Sequence, residues 1–413
     1  MLQLKNLLQN KTYVFADQAL VSLLNFGSVF LLSKLTSVPI FANFVLAYGY
    51  SNLIFILITY FLSAPILVFL PKKDEKETSS YLISLLGLNI LFSVLLSFLS
   101  FPLIQSQVDS LSFWSFLGIN FGMILYELFK KFIFAQRKLN FVYVVISSVL
   151  LVVLFFGIIW NFKNSLNLQI ILGAYTISFT LAAIFLFIVI GLKKLFSWHS
   201  FYLTTKNLKT IILYLREHYI YSKWIIIAGI LFWSYSQGVF IIADILEVSD
   251  LDIAKVRTIQ NLLGLFTILL MSMESYFIPL FSKKVDQLPQ VVKDFYSKYS
   301  LKLGILFVIS IPVFYIVYEL FYYEKYGNGI YIIAILWLSQ MFVTFTRPLS
   351  MALRAKEISY PLFIAHFIAL IGLILLGLLF MYLWKDIGIS LALFLAYFLS
   401  NTTILYYFRK HIT

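Results

Sequence analysis

The sequence predicts an all-α integral membrane protein of about twelve transmembrane helices, set as two six-helix lobes around a central cavity. Three observations carry that prediction. Of the 413 residues, 62% are hydrophobic and only 12% charged, whereas soluble domains run at about 45–50% apolar and about 25% charged. Windows of about 19 apolar residues recur twelve times along the chain. The longest gap between them, Lys193 to Lys223, falls between the sixth and seventh spans, the division expected of two repeats that share a site near the bilayer midplane.

The spans follow in order. The first is expected at Thr12–Leu35 and reads as an uncleaved segment, because no small-residue cleavage site follows it. The second, Phe41–Leu70, contains Pro65 near its end and is expected to kink there. After the charged run Lys72-Lys73-Asp74-Glu75-Lys76-Glu77 come Tyr81–Phe101 and Ser110–Phe134. A loop with Arg137 and Lys138 leads to Phe141–Phe162 and Leu168–Leu192. The second half reads as Trp224–Leu246, Ile253–Lys284, Tyr299–Tyr318, Ile330–Leu353, Tyr360–Trp384 and Ile387–Phe408. The domain division is therefore an N-terminal lobe over 1–200, a linker over 201–222 and a C-terminal lobe over 223–413. In the linker, Leu208, Ile211, Ile212 and Leu215 recur at helical spacing opposite Lys206, Lys209 and Arg216. Two readings stand: a basic amphipathic helix in the headgroup layer, or a helix packed on the bundle.

The net charge of +13 does not point to nucleic acid, because the basic residues fall in short clusters between apolar runs. With both termini on the cytoplasmic side, most Lys and Arg lie in inner segments. Lys34, Lys163, Lys255, Arg257, Lys325 and Lys385 are left outside, and Asp244, Glu247, Asp250 and Asp252 favour that outer side. This asymmetry predicts a multi-pass protein of a cytoplasmic membrane.

Four spans carry polar residues on one face. In the first, Asp17, Gln18, Ser22, Asn25 and Ser28 fall within an arc of about 140°. The seventh offers Ser234, Gln237, Gly238 and Asp244. The eighth, expected as one continuous helix, carries Arg257, Gln260, Asn261, Gly264, Thr267, Met271 and Glu274, again within about 140°. The tenth carries Trp337, Gln340, Thr344, Arg347 and Arg354, with Pro348 set to kink it. Uncharged polar groups in membrane helices often serve as interhelical bonds worth about 0.6 kcal/mol. A charge at mid-membrane costs roughly 2.5–3.5 kcal/mol on the lenient scale, so Asp17, Glu274 and Arg347 require partners or water. A buried pair of Arg347 with Glu274 or Asp17, acting as an inner gate, is the expectation. Glu127, Lys130 and Lys131 sit at the inner end of the fourth span, where lysines can snorkel to the interface, and read as a weaker candidate. His366 reads as a packing histidine.

Several chemistries are excluded by composition. The chain has no cysteine and only four histidines, none at metal-ligand spacing, so no thiol nucleophile, metal centre or cofactor is expected. No GxxxxGK sequence is present, so ATP hydrolysis by this chain is not expected. Outer loops of about four to ten residues leave little with which to hold a glycan-polymerising reaction, and the enzyme reading is weak.

Three stretches resemble the polysaccharide-exporter branch of the multidrug/oligosaccharidyl-lipid/polysaccharide (MOP) superfamily. Phe15-Ala16-Asp17-Gln18-Ala19-Leu20-Val21-Ser22-Leu23-Leu24-Asn25-Phe26 is similar to the first span of Wzx-type O-antigen and capsule flippases. Ile278-Pro279-Leu280-Phe281-Ser282-Lys283 resembles the end of their eighth span, and Arg354-Ala355-Lys356-Glu357 the segment after their tenth. The resemblance implies a MATE-like fold and a cavity lined by spans one, two, seven and eight. It also implies an undecaprenyl-diphosphate-linked oligosaccharide turned to the outer leaflet, with membrane lipids and polysaccharide polymerase machinery as partners. On that reading Arg347, Arg354, Lys131 and Arg137 attract the diphosphate and Arg257 meets it near the outer end. Gln18, Asn25, Gln237, Gln260 and Asn261 bond sugar hydroxyls, while Asp17, Glu274 and Asp244 serve as gate or ion-coupling groups. A cation-coupled drug antiporter of the same fold and a glycan polymerase or ligase are the competing readings.

Overall fold

A computed structural model describes residues 2–412 apart from 107, 109–110, 137–140, 193–207 and 237. Among these residues there is no strand, and the molecule is a multi-pass helical membrane protein. The chain divides into two compact units, Met1–Ser222 and Lys223–Thr413.

In the first unit, α1 (Leu2–Leu35), α2 (Val38–Ile58), α3 (Ile66–Phe69), α4 (Glu75–Gln105), α5 (Phe113–Gln136), α6 (Val142–Asn161) and α7 (Leu168–Leu192) follow the six predicted spans. Helix α5 packs most extensively on α7, and α1 on α6. The α5–α7 approach depends on Gly118, where a Cβ would come within 2.8 Å of the Thr176 methyl; small residues let membrane helices close on one another in this way. The core around Tyr175 is aromatic: Phe155 lies at 4.4 Å and Phe44 stacks at 5.9 Å.

The expected kink near Pro65 is a π-helical turn over Thr59–Ser63. Proline lacks an N–H and cannot bond the carbonyl four residues back, which here is that of Phe61. The connector supplies the missing donors. Helix α8 (Leu208–Ser236) runs past this turn, and His218 Nδ1 and Ser222 Oγ reach the Phe61 carbonyl at 3.1 and 3.2 Å. A carbonyl only accepts, so Nδ1 carries the proton and Nε2 accepts from the Tyr81 hydroxyl at 2.7 Å. Glu217 pairs with Lys73 at 3.5 Å, and the Lys73 ammonium lies 4.7 Å from the Tyr214 ring centroid. The described part of the connector is thus the packed alternative. Its buried stripe is Tyr214, His218, Tyr221 and Ser222, whereas Ile212, Leu213 and Ile220 are exposed. Of the expected apolar stripe, Ile211 and Leu215 are half-buried beside this face, whereas Ile212 is turned outward. Residues 193–207 lie outside the described residues.

In the second unit, α8 ends at Ser236 and α9 (Gly238–Ile245) follows. The predicted eighth span is not continuous. It is α10 (Asp250–Leu263) and α11 (Leu265–Ser282), which meet at a bend of 42°. Gly264 occupies the break, its N–H shared between the Gln260 and Asn261 carbonyls at 2.9 and 3.0 Å. A Cβ there would lie 2.8 Å from the Asn261 carbonyl oxygen. The expected polar stripe is consequently split between two helices rather than aligned on one face. Then come α12 (Leu288–Tyr326), α13 (Ile330–Ala355), α14 (Tyr360–Gly372) and α15 (Leu378–His411). The last contains a turn at Lys385, with φ 47°, that separates the eleventh and twelfth spans. Taken together, the rods agree with about twelve transmembrane helices.

Candidate functional site

Among the described residues, each unit contains a buried charge network, and the two differ in stoichiometry. In the first unit the centre is Asp17 on α1, which is completely buried. Its Oδ1 accepts from Ser148 Oγ of α6 at 2.5 Å and lies 3.4 Å from the Tyr126 hydroxyl. Its Oδ2 accepts from Gln18 Nε2 at 2.9 Å and faces Lys130 Nζ at 3.6 Å. Lys130 in turn bonds Glu127 Oε2 at 3.0 Å, and Lys131 reaches Glu127 Oε1 at 3.3 Å. Spacings of three and four residues put Lys130 and Lys131 on the same helix face as Glu127. All four charged side chains are buried, so within this tetrad two carboxylates meet two ammoniums and the charge closes at zero.

The second unit holds Glu274 on α11 between two guanidiniums of α13. Arg347 Nη2 lies 2.6 Å and Arg354 Nη1 2.8 Å from the same oxygen, Glu274 Oε1. Seven residues are almost two turns, so both arginines project from one side of α13 toward α11, its neighbour. Arg354 is buried at 7%, whereas the Arg347 side chain keeps 32% of its surface open. Arg347 Nε is nonetheless enclosed and has no hydrogen-bond partner. One carboxylate against two guanidiniums leaves this triad one positive charge in excess.

The other residues singled out from the sequence are dispersed. Asn25 is exposed on α1 and accepts from the Tyr48 hydroxyl at 3.0 Å. Gln18 is buried and its amide is committed to Asp17. Arg257 is exposed on α10, its guanidinium 5.5 Å from the Phe240 ring centroid. Gln260 Nε2 donates to the Ser236 carbonyl at 3.2 Å, which helps to tie α10 to the end of α8, and Asn261 is exposed. Asp244 lies on α9, and Gln237 and Arg137 lie outside the described residues. His366 sits between the Tyr235 hydroxyl at 3.0 Å and Ser400 Oγ at 3.3 Å.

Of the two partners offered for Arg347, the structure shows Glu274, and Asp17 pairs with Lys130. One assignment changes: Lys130 and Lys131 do not snorkel but are buried within the helix bundle of their unit. Sequence reasoning also missed Tyr126 and Ser148. The signal available for the lysines was the Glu127, Lys130, Lys131 spacing together with an intramembrane Asp17 that lacked a cation; Ser148 carries no such signal, because serine is common in membrane helices.

No protein-family model matches the chain, and no curated protein matches it in sequence. Solved structures do. A mutant MATE transporter from Vibrio cholerae is 13% identical, with 98% of this chain and 96% of that chain covered at a TM-score of 0.75. A MATE transporter in the straight conformation is 12% identical, with 99% and 96% covered at a TM-score of 0.77. The chain has the fold of a MATE transporter. A MOP superfamily transporter from Pyrococcus furiosus, 12% identical with 99% and 95% covered, gives a TM-score of 0.70, and its report describes a binding pocket of reversed polarity. On this MATE fold the N-terminal unit carries the neutral tetrad and the C-terminal unit the cationic triad.

Proposed function

We propose that the chain is a flippase that moves an undecaprenyl-diphosphate-linked oligosaccharide from the inner to the outer leaflet of the cytoplasmic membrane by alternating access, in O-antigen or capsule assembly. The observation that supports this reading is the excess positive charge at Arg347, partly open and with an unsatisfied Nε. Guanidinium is well suited to phosphate oxygens, which it meets with paired N–H donors. A sugar chain cannot cross hydrocarbon unaided, since each unpartnered hydroxyl costs several kcal/mol, so a polar path between lipid leaflets is required. An inside-negative potential favours outward movement of the diphosphate by about 2.3 kcal/mol per charge per 100 mV. Exposed Asn25, Arg257 and Asn261 supply hydrogen-bonding groups for the sugar and diphosphate. The product then becomes available to polymerase machinery on the far side.

Fold alone does not choose the substrate. The Pyrococcus furiosus neighbour is described as having reversed pocket polarity and a different function, and another neighbour is described as a multidrug resistance MATE transporter. The second reading, a cation-coupled drug antiporter, draws on the buried carboxylates Asp17 and Glu127. Against it, both carboxylates are already matched by lysines.

Reconstitution in liposomes with labelled lipid-linked oligosaccharide separates the readings. Flipping is expected in the wild type, and Arg347→Ala should slow it by tenfold or more (about 1.4 kcal/mol per tenfold). Efflux of cationic dyes without movement of the labelled lipid would discard the flippase in favour of the antiporter. In cells, deletion should trap single lipid-linked units on the inner face, whereas loss of a polymerase would let single units reach the outside.

A further inference from the structure

The tetrad of the N-terminal unit has an architecture with a consequence for ions. Two carboxylates on different helices, Asp17 and Glu127, converge on one point, and the group at that point is the Lys130 ammonium, 3.6 Å from Asp17 Oδ2 and 3.0 Å from Glu127 Oε2. The other oxygen of Asp17, Oδ1, is held by Ser148 Oγ and faces the Tyr126 hydroxyl, and the Tyr126 ring centroid lies 5.2 Å from Nζ. Carboxylate oxygens are ligands that hard metal cations select, and an aromatic face adds a further attraction for positive charge. We propose that Lys130 is a tethered counter-ion that fills a monovalent-cation site, so that the N-terminal unit works without Na+ or K+ bound there.

Charge makes the site exclusive. The tetrad is neutral and buried, with Asp17 at 0% and Lys130 at 3% exposure. A metal ion added beside Lys130 would place like charges a few ångströms apart in a medium of low dielectric, where neither is solvated. Removal of the ammonium reverses the situation. Asp17, Glu127 and Lys131 then leave one negative charge, and the vacated position is bordered by Asp17 Oδ2 and Glu127 Oε2. The same residues that exclude an alkali ion in the wild type form a site for one in a Lys130 variant. This inference concerns ion occupancy alone and is independent of what the transporter carries.

The test is thermal unfolding of the purified full chain in lipid nanodiscs, with NaCl, KCl or choline chloride at equal ionic strength. The wild type is expected to melt at the same temperature in all three. Lys130→Ala is expected to be destabilised in choline and to recover saturably by several degrees as Na+ or K+ reaches about a hundredfold excess over its dissociation constant. The paired variant Asp17→Asn/Lys130→Met keeps Glu127 matched with Lys131 and is expected to fold and to ignore the cation. Saturable, Na+- or K+-specific stabilisation of the wild type would overturn the proposal. So would a Lys130→Ala protein that folds without any cation response, or one that cannot be isolated even in NaCl or KCl. An equal cation response in the paired variant would place the ion elsewhere and also overturn it.

Discussion

The two charge networks answer the same physical problem in opposite ways. Both units bury carboxylates among apolar helices, where an unpaired charge is expensive. The N-terminal unit matches Asp17 and Glu127 with Lys130 and Lys131 and encloses all four. The C-terminal unit gives Glu274 two arginines, hides Arg354 and leaves Arg347 partly open. A closed neutral network contributes to the integrity of its lobe, because removal of one member strands the others. An open network with surplus charge can give up part of its pairing to an incoming anion, since Arg354 remains on Glu274. On the function proposed above, the difference separates what holds a unit together from what meets a ligand.

The comparison breaks most sharply at Glu127. Glu127→Gln leaves two buried ammoniums facing Asp17 alone, and loss of about 3–5 kcal/mol of stability is expected, to be read as a lower melting temperature and reduced folded yield. Arg354→Ala exposes Glu274 to a single partner and should cost about 2–3 kcal/mol by the same measurement. His218→Ala removes one of the two donors to the Phe61 carbonyl, leaving Ser222, and removes the acceptor of Tyr81. It should cost about 1–3 kcal/mol and increase hydrogen exchange at the start of α8, without altering the response to Arg347 substitutions. Arg347→Ala is the variant that sharpens the contrast: a stability change below about 1 kcal/mol, with transport nonetheless lost in the liposome assay. If Arg347→Ala instead destabilises as much as Glu127→Gln, the triad is a structural network like the tetrad. The smallest effect is expected at Gln260→Leu, about 0.6 kcal/mol, from the loss of its bond to the Ser236 carbonyl.

Particular residues show where the sequence was legible. Pro65 and the apolar runs around it announced a broken second span, and a π turn stands there. Arg347 was readable as needing a carboxylate partner, Glu274 or Asp17, because isolated opposite charges in hydrocarbon attract, and the structure shows Glu274. Gly264 was read as part of a polar stripe, yet it is the breakpoint of the eighth span, for periodicity presumes an unbroken helix and cannot report a bend. The lysines of α5 were misread because a lysine near a span end has two low-energy options, the interface or a buried carboxylate. Only the position of Asp17 across the bundle decides between them.

Composition and periodicity by themselves determined that this chain is a bundle of about twelve membrane helices, because burial of apolar length is a local property of each segment. Charge asymmetry and isolated intramembrane charges likewise nominated Asp17, Glu274 and Arg347 without any knowledge of their neighbours. The tertiary structure decided the pairings: Asp17 with Lys130, Glu274 with both arginines, and the connector's His218 with a carbonyl that Pro65 had left bare. Those outcomes depend on which helices lie side by side, and a Coulomb or hydrogen-bond interaction is decided by distances of a few ångströms that no linear spacing encodes.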